Sequence, residues 1–422
     1  MDVTISLDNR YHVSPDGKVW SQAGMARSFW ERYLDVFDNV HILARGVYVS
    51  APKEDWQEVT GPNIRLHPLP NFVGPKEYLK QYNQLKATIH AAVPRQGAVI
   101  MRVGSQIANL FEDRLNKVKY PFGLEVIGDP YEVFAPGVVD HPLRTLFRWH
   151  FSRRLKKQCE RAIGVAYVTR HSLQKRYPSK KHEASVSDVD LSSEAIRYFR
   201  PSTHFSTIEL EASSIREHGR VFVNEGRFRV ITVGSLAQMY KGIDVLIQAT
   251  ALCQQANFQL EVFVAGEGIY KNHLQRLAES LGVSNHIHFL GQVTPGKKIR
   301  ELLDSGDLFV LPSRTEGLPR ALIEAMARAL PCIGSSVGGI PELLNESEMV
   351  KPGDPGALAR KMQEVLANSS RMDALSKQNR VCAMDYMDSV LRARRRNFYG
   401  HIKSYMNSFD SQNNGIGGTY QS

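Results

Sequence analysis

In the second half of the chain, short apolar segments that end in glycine or proline alternate with amphipathic segments. The apolar segments occupy residues 228–234, 258–266, 286–291, 308–312 and 332–334. Continuous apolar runs of this length, each followed by a stretch with helical spacing, are typical of strands buried on both faces of a parallel sheet. The pattern therefore predicts a doubly wound α/β domain, in which ligands bind beyond the carboxyl ends of the strands.

The first half of the chain shows the same kind of alternation. Its predicted strands are residues 3–7, 40–44, 98–103, 123–127 and 165–169. A helix with apolar residues at helical spacing follows Gly24. Because 422 residues are too many for one hydrophobic core, we expect two α/β domains.

Two glutamates lie on either side of a predicted loop-to-helix junction that follows the strand at 308–312. Glu316 falls in the loop, and Gly317 after it leaves room for a ligand to approach the backbone. Pro319 is expected as the first helical residue, where its missing N–H is tolerated. Glu324 then lies about one and a half turns into the helix. Free N–H groups at the start of this helix attract a phosphate, and a forked carboxylate can accept two hydrogen bonds from a sugar diol.

Lys241 follows the strand that ends at Gly234 and precedes an amphipathic helix. An ammonium group at this edge of a sheet can neutralise a diphosphate. A structural interpretation is available for each feature: the glutamates could cap a helix and face solvent, and the lysine could be a surface residue. The neighbouring motifs favour the ligand-binding interpretation.

Five motifs occur in order between residues 228 and 344. They are Val-Gly-Ser-Leu…Tyr-Lys-Gly, Val-Ala-Gly-Glu-Gly, Leu-Gly-Gln-Val, Pro-Ser…Glu-Gly-Leu-Pro…Glu-Ala and Gly-Gly-Ile-Pro-Glu-Leu. In this order they resemble the donor domain of a retaining GT-B glycosyltransferase of family 4, the group 1 type that serves bacterial cell-surface polysaccharides. The resemblance implies the GT-B fold, in which two doubly wound Rossmann-like domains face a central cleft.

The same resemblance implies how the chain is divided. Residues 1–210 would form the acceptor-binding domain, 211–226 a linker, and 227–390 the domain that binds the nucleotide-sugar donor. A helix at 391–407 would pack back on the first domain. The tail at 408–422 is rich in Gly, Asn, Ser and Gln, so we expect it to be disordered.

The resemblance also assigns roles to residues on the donor side. Glu324 would bind the ribose, Lys241 the diphosphate, Glu316 with Gly317 and Leu318 the transferred sugar and its phosphate, and backbone groups of Val293 the base. Gly234 and Ser235 would form the phosphate turn, although relatives often carry an arginine in place of Ser235. Gly24, in a loop after the first strand, would approach the donor phosphate or would simply begin a helix.

On the acceptor side, Asp129 directly follows the strand at 123–127, near a position where many relatives carry a histidine. A carboxylate there could bind the acceptor hydroxyl or take up its proton, or it could be an ordinary turn residue before Pro130. Arg102 and Ser105 also follow or end a predicted strand. They are further candidates for a contact with acceptor or donor.

The resemblance implies transfer of a sugar from a UDP- or GDP-linked donor to a saccharide or lipid-linked saccharide, with retention of anomeric configuration. The expected setting is the synthesis of capsule, exopolysaccharide or O-antigen. No cofactor is expected and no metal should be required, since the Asp-x-Asp pair Asp188 and Asp190 lies outside the donor motifs. Two alternatives stay open: a nucleotide-sugar 2-epimerase of the same architecture, and a nucleotide-binding scaffold without activity.

Part of the formal net charge of +10 lies in a basic segment of the first half. Residues 144–157 interleave aromatic and basic side chains, and Lys180 and Lys181 add to them. Such a segment suits an anionic membrane surface or nucleic acid. We favour the membrane, which fits a lipid-linked acceptor, and expect no nucleic-acid partner. Scattered cysteines, a strand at the very start and the lack of a long apolar stretch predict a cytoplasmic protein. The basic segment adds the expectation that it is peripheral at the inner membrane face.

Overall fold

A computed structural model of the chain describes residues 1–22, 25–136, 138–139, 141–179, 202–206, 208, 210–222, 226–294 and 296–414. The backbone forms two units, each with its own sheet. The first comprises Met1–Gly128, Phe151–Phe205 and Arg392–Ser422, and the second comprises Asp129–His150 and Ser206–Leu391. The sequence analysis expected the division after residue 210, close to where the chain enters the second unit.

The sheet of the first unit is centred on β1 (Val3–Val13), which is buried over its first five residues. The other strands are β2 (Val19–Ser21), β3 (Val40–Tyr48), β4 (Gln57–Glu58), β5 (Ile64–Leu69), β6 (Ala98–Val103), β7 (Gly123–Val126), β8 (Gly164–Tyr167) and β9 (Ser202–His204). The parallel order is β5-β3-β1-β6-β7-β8-β9, and β2 and β4 add an antiparallel extension beside β1. The predicted strands of the first half are therefore all present and parallel.

The helices of the first half connect these strands. They are α1 (Arg27–Leu34), α2 (Gly74–Ala91), α3 (Gln106–Lys117), α4 (Pro130–Val133), α5 (Arg144–Arg161) and α6 (Ser172–Arg176). α1 forms because Phe29, Trp30 and Tyr33 recur at helical spacing and are buried together. Ser105 caps α3, since its Oγ accepts a hydrogen bond of 3.1 Å from the backbone N–H of Ala108. This gives Ser105 a structural role where the sequence suggested a substrate contact.

Arg102 lies inside the first unit with only 2% of its surface exposed. Its guanidinium donates to the buried carboxylate of Glu125. The hydroxyl groups of Tyr33 and Tyr399 each donate a hydrogen bond of 2.8 Å to the same carboxylate. A charge removed from water must be paired in this way, so the expectation that Arg102 contacts a substrate is replaced by a role in the core.

The sheet of the second unit is parallel throughout the described residues. Its strands are β10 (Phe228–Val233), β11 (Leu260–Ala265), β12 (Ile287–Gly291), β13 (Leu308–Leu311), β14 (Cys332–Ser335) and β15 (Met349–Val350). Their order is β12-β11-β10-β13-β14-β15. The chain therefore extends the sheet on one side of β10 and then returns to extend it on the other side.

Helices cover both faces of this sheet, as the sequence pattern predicted. They are α7 (Ile243–Gln255), α8 (Lys271–Ser280), α9 (Lys297–Asp304), α10 (Arg320–Ala327), α11 (Pro355–Leu366) and α12 (Ser369–Met384). Val230, Val262 and Val310 of the strands are fully buried in one core with Leu246 of α7 and Met362 of α11. Burial of each such side chain contributes about 1.5–3 kcal/mol to the free energy of folding. This core therefore holds the strands, and with them the turns at their carboxyl ends, in fixed positions.

The described residues of the linker that the sequence analysis expected at 211–226 are 211–222 and 226, and they belong to the second unit. Arg220 is 8% exposed and donates to the carbonyl oxygens of Gly306 at 2.8 Å, Leu303 at 3.0 Å and Arg328 at 2.9 Å. These carbonyls lie at the carboxyl-terminal ends of α9 and α10, where unpaired acceptors attract a cation. Burial lowers the pKa of Arg220 to about 10, so the side chain remains a cation at neutral pH.

The long carboxyl-terminal helix α13 (Asp388–Asn414) joins the first unit from Arg392 onward. The ring of Tyr399 stacks on that of Tyr33 with centroids 4.7 Å apart. The helix continues through residues 408–414, where the sequence analysis expected disorder, because Phe409 packs against the ring of Tyr120. Residues 415–422 lie outside the described part of the chain.

Across the described residues, no helix combines the length and the apolar character that crossing a lipid bilayer requires.

Candidate functional site

The candidate site lies where the two halves of the second sheet meet. β10 and β13 are parallel neighbours, with Val230 opposite Leu308 and Ile231 opposite Phe309. The strands that follow β10 extend the sheet in one direction, and those that follow β13 extend it in the other. The turns after these two strands therefore flank the topological switch point, which is the usual ligand position in such sheets.

The two turns touch through their backbones at Gly242. This glycine has a φ of +70°, and a Cβ placed on it would lie 2.0 Å from the carbonyl oxygen of Pro312. No other residue could occupy this position without moving the turn after β13 away from the turn after β10. The glycine that follows Lys241 is therefore what allows the two turns to approach each other.

Lys241 and Glu316 meet across this junction. The Nζ atom of Lys241 lies 2.7 Å from Oε1 of Glu316, and the two side chains are 17% and 8% exposed. The hydroxyl of Ser313 donates a hydrogen bond of 2.7 Å to the same oxygen. The lysine stem lies over Gly234, where an added Cβ would come within 3.3 Å of it. The structure thus brings together Lys241, Glu316 and Gly234, which the sequence predicted for the site. It adds Ser313, which could have been found in the sequence only from its position three residues before Glu316.

A pair of glycines fixes the backbone around Glu316 and Gly317. Gly338 has a φ of +54°, and a Cβ there would lie 1.9 Å from the carbonyl oxygen of Glu316. The N–H of Gly339 donates a hydrogen bond of 2.7 Å to the carbonyl of Gly317. Because the carbonyls of this turn point to the glycines, its conformation is set before any ligand arrives. Leu318 follows in the same turn and is half-buried.

The turn at Gly234 and Ser235 is held in a similar way by the turn after β11. A Cβ on Gly266 would lie 1.9 Å from the carbonyl oxygen of Gly234. The N–H of Leu236 donates to the carbonyl of Glu267 at 3.0 Å. Ser235 is exposed and its hydroxyl accepts a hydrogen bond of 3.2 Å from the N–H of Ala237. Where the family pattern often has an arginine, this chain therefore has a serine whose hydroxyl accepts a hydrogen bond within the turn.

Glu324 lies in the second turn of α10 and is half-buried. Burial raises the pKa of its carboxyl, and the guanidinium of Arg320 partly offsets this effect. Among the described residues no donor makes a hydrogen bond to this carboxylate. A partly desolvated acceptor without donors is the kind of group that a ligand with paired hydroxyls would satisfy.

The sequence analysis expected Pro319 to be the first residue of α10. In the structure it is the residue before the helix. Its ψ of 108° is extended, and the helix begins at Arg320. The difference moves Glu324 by one position within the helix and leaves it in the second turn.

The remaining predicted site residues lie elsewhere in the chain. Val293 is half-buried in the segment that follows β12. Asp129 is 7% exposed and caps α4, its Oδ1 accepting a hydrogen bond of 2.9 Å from the N–H of Tyr131. It falls in the second unit, whereas the sequence analysis placed it in the first domain. Gly24 lies outside the described residues, as do Asp188 and Asp190. The roles predicted for Asp129, Val293 and Gly24 stay predictions.

Residues 214–381 match the family model of glycosyl transferases group 1. Over 388 residues the chain is 21% identical to protein CapJ of Staphylococcus aureus, and the alignment covers 92% of each chain. Further curated relatives are 29–35% identical, but they align over only 31–50% of this chain and 34–49% of their own length. Among these are proteins named as glycosyltransferases of colanic acid biosynthesis in Salmonella typhimurium and of teichuronic acid biosynthesis in Bacillus subtilis.

Solved structures resemble the whole chain at low sequence identity. Sucrose-phosphate synthase from Thermosynechococcus elongatus has a TM-score of 0.67 at 15% identity, covering 98% of this chain and 99% of its own. Alr3699/HepE of Anabaena, solved in complex with UDP-glucose, has a TM-score of 0.60 at 14% identity, covering 98% of this chain and 100% of its own. These likenesses confirm the predicted α/β GT-B fold. The match to the group 1 family model, over residues 214–381, includes the turns described above.

Proposed function

We propose that this chain transfers a sugar from a nucleoside-diphosphate sugar to a saccharide or lipid-linked saccharide, in the synthesis of a cell-surface polysaccharide such as capsule, exopolysaccharide or O-antigen. The observation that carries the proposal is the meeting of Lys241 and Glu316 at the switch point of the second sheet, 2.7 Å apart. Relatives that align with part of this chain are named for colanic acid and teichuronic acid biosynthesis, which supports a polysaccharide product.

In this proposal the second unit binds the donor. Glu324 accepts hydrogen bonds from the two ribose hydroxyls, and backbone groups near Val293 contact a uracil or guanine base. Lys241 and the backbone N–H groups of Gly317 and Leu318 bind the diphosphate, with Gly234 and Ser235 forming the turn beside it. Glu316 orients the transferred sugar. The metal-free chemistry expected from the sequence assigns all neutralisation of the diphosphate to these groups.

We further propose that the anomeric configuration is retained without a covalent enzyme intermediate. A double displacement needs an acid and a nucleophile that flank the scissile bond. Glu324 is assigned to the ribose, and Glu316 is already hydrogen-bonded by Lys241 and Ser313. We therefore assign the deprotonation of the incoming hydroxyl to the leaving phosphate, and the binding of the acceptor to Asp129.

The first test is a thermal-shift screen of the purified chain against UDP, GDP, ADP and their sugar conjugates. A ligand at about a hundred times its dissociation constant adds roughly 2.7 kcal/mol to the free energy of unfolding. We expect a shift with the uridine or the guanosine series and none with ADP. No shift with any nucleotide in the presence or absence of a saccharide acceptor would rule out the proposed donor site.

The same preparation separates the proposed transferase from its two alternatives. Transfer of a labelled sugar to added saccharide or lipid-linked saccharide acceptors is expected. A 2-epimerase would instead change the sugar nucleotide without an acceptor, and a scaffold would bind nucleotide without turnover. Chromatography of the sugar nucleotide before and after incubation distinguishes the three.

The segment that ends in α5 supports a second proposal, that the protein works at an anionic membrane surface on the cytoplasmic side. Leu143, Leu146 and Trp149 recur at helical spacing and are 50–58% exposed. The sequence of α5, Arg144–Arg161, contains seven Lys or Arg residues and one Glu. Basic residues near such a surface contribute about 1 kcal/mol each, and exposed apolar side chains add to this by entering the headgroup region.

Co-sedimentation with lipid vesicles tests the membrane proposal. We expect binding to vesicles that contain phosphatidylglycerol and little binding to pure phosphatidylcholine. Replacing Leu146 and Trp149 by alanine should weaken binding at least about tenfold, because each apolar side chain contributes about 1.5 kcal/mol or more. Val381→Ala removes an equally exposed side chain from α12 and serves as the control. Equal sedimentation with both lipids would contradict the proposal.

A further inference from the structure

Arg314 lies between Ser313 and Glu316 along the chain. It follows Ser313 in the turn after β13, and its guanidinium points to Asp244 in the first turn of α7. Nη1 donates to Oδ1 of Asp244 at 2.8 Å, and Nη2 donates to Oδ2 at 2.6 Å. This bidentate pair is largely shielded, with the side chains 22% and 15% exposed. Such geometry is specific to arginine, since a lysine has no planar fork.

The same arginine also binds the turn that carries Lys241. Nη1 donates a second hydrogen bond of 2.9 Å to the carbonyl oxygen of Met239. The backbone N–H of Arg314 donates to the carbonyl oxygen of Tyr240 at 2.7 Å. The hydrogen bonds to Asp244 raise the pKa of Arg314, so the cation is secured at any physiological pH. Arg314 thus binds the turn after β13 to the Met239–Lys241 turn, through hydrogen bonds from its side chain and from its backbone N–H.

This arrangement matters because Lys241 and Glu316 belong to turns that follow different strands. Lys241 can bind the diphosphate, and Glu316 the transferred sugar, only if the two turns keep a fixed separation. The glycine contact at Gly242 permits the close approach, but it supplies no directed attraction. The hydrogen bonds of Arg314 do supply it, and Asp244 anchors them to the start of α7.

We infer that Arg314 and Asp244 are positioning residues of the donor site, which hold the turn of Lys241 against the turn of Glu316 so that the lysine can bind the diphosphate. The inference rests on the proposed function, because it assumes that a nucleoside diphosphate binds at this junction. Neither residue needs to touch the ligand. Their effect reaches the diphosphate through the two turns and leaves the nucleoside contacts of Glu324 unchanged.

The test compares the affinity of a nucleoside diphosphate with that of the parent nucleoside by isothermal titration calorimetry. UDP with uridine, or GDP with guanosine, is used according to which base the wild-type chain binds. In Arg314→Gln and in the isosteric Asp244→Asn we expect the diphosphate to bind about tenfold more weakly, the loss that accompanies a weakened charge-assisted contact. Nucleoside affinity should change less than about twofold.

Arg371→Gln is the matched control. Arg371 is 23% exposed and is paired with Glu364 and Glu348 in the same unit. Within the described part of the chain, it makes no hydrogen bond or ion pair with Arg314, Asp244 or the two residues that they position. This variant should lose stability without losing the preference for the diphosphate. The double variant Arg314→Asp with Asp244→Arg reverses the pair and should recover part of the diphosphate affinity.

Three possible results distinguish a failure of the inference from a failure of the proposed function. If the wild-type chain binds neither diphosphate, the proposed donor site is wrong and the inference fails with it. If the wild-type chain binds one, but Arg314→Gln and Asp244→Asn keep the same ratio of diphosphate to nucleoside affinity, the positioning role alone is overturned. A parallel loss of both affinities would likewise show a general loss of structure and overturn it.

Discussion

Replacing Glu324 by glutamine is expected to weaken nucleotide binding by about tenfold to a hundredfold. The proposed contacts are charge-assisted hydrogen bonds from two ribose hydroxyls, each worth roughly 1.5–3 kcal/mol. Glutamine keeps the shape of the side chain but has one acceptor oxygen where the carboxylate has two. Calorimetry with UDP or GDP measures the change directly.

The same variant should make the ligand-free protein more stable at neutral pH. Burial raises the pKa of Glu324 in the folded chain, so the folded state holds its proton more tightly than the unfolded state does. The free energy of unfolding therefore falls as the pH rises from the ordinary glutamate pKa through the raised one, and stays lower above it. Glu324→Gln removes this loss, and its melting temperature at pH 7 should exceed that of the wild-type chain.

Nucleotide affinity should follow the opposite course with pH. The carboxylate form binds the ribose, so affinity is expected to decline as the pH is lowered through the raised pKa of Glu324. Glu324→Gln should flatten that decline. Glu279→Gln, at an exposed position on α8, is the control and should change neither stability nor affinity. Nucleotide affinity unchanged in Glu324→Gln would remove the residue from the donor site.

Replacing Lys241 by methionine is expected to lower kcat/KM for sugar transfer by roughly a hundredfold or more. That is the usual cost of removing one donor to a charge that develops in a transition state. A second effect acts in the same direction, because Glu316 would lose its cation and would present an uncompensated carboxylate to the diphosphate. Initial rates at varied donor concentration provide kcat and KM separately.

Lys271→Met is the matched control for this prediction. Lys271 is also paired with a glutamate, Glu267, at 3.1 Å, and lies at the start of α8 outside the junction. Its removal should change the rate less than about twofold, since exposed ion pairs contribute little. Equal effects of the two lysine substitutions would show that only the net charge of the unit matters.

Much of the second unit could be predicted from its sequence for a physical reason. Strands buried on both faces leave apolar runs that are hard to mistake, and the glycines at 242, 266 and 338 occur where backbone meets backbone. The positions of Glu316 and Glu324 relative to α10 follow from helix geometry. The strand-to-turn-to-helix order was therefore visible before any distance was known.

The pairing of side chains was much less visible, because it depends on the order of strands in the sheet. Arg314 and Asp244 are 70 positions apart and meet only because β13 pairs with β10. Arg102 ended a predicted strand and looked available for a ligand, but its neighbour β7 supplies Glu125 and turns it inward. The reach of α13 beyond residue 408 depends on Tyr120, which lies in a different part of the chain.

The hydrogen bond from Tyr399 to Glu125 means that the order in which the two units are synthesised differs from the order in which their structures are completed. Glu125 emerges from the ribosome early, together with most of the first sheet. Tyr399, which donates a hydrogen bond to Glu125, emerges only after the second unit. Until then the carboxylate lacks a donor whose absence costs about 1–3 kcal/mol. The amino-terminal unit is thus begun first, but its buried carboxylate is satisfied only after the second unit has been synthesised.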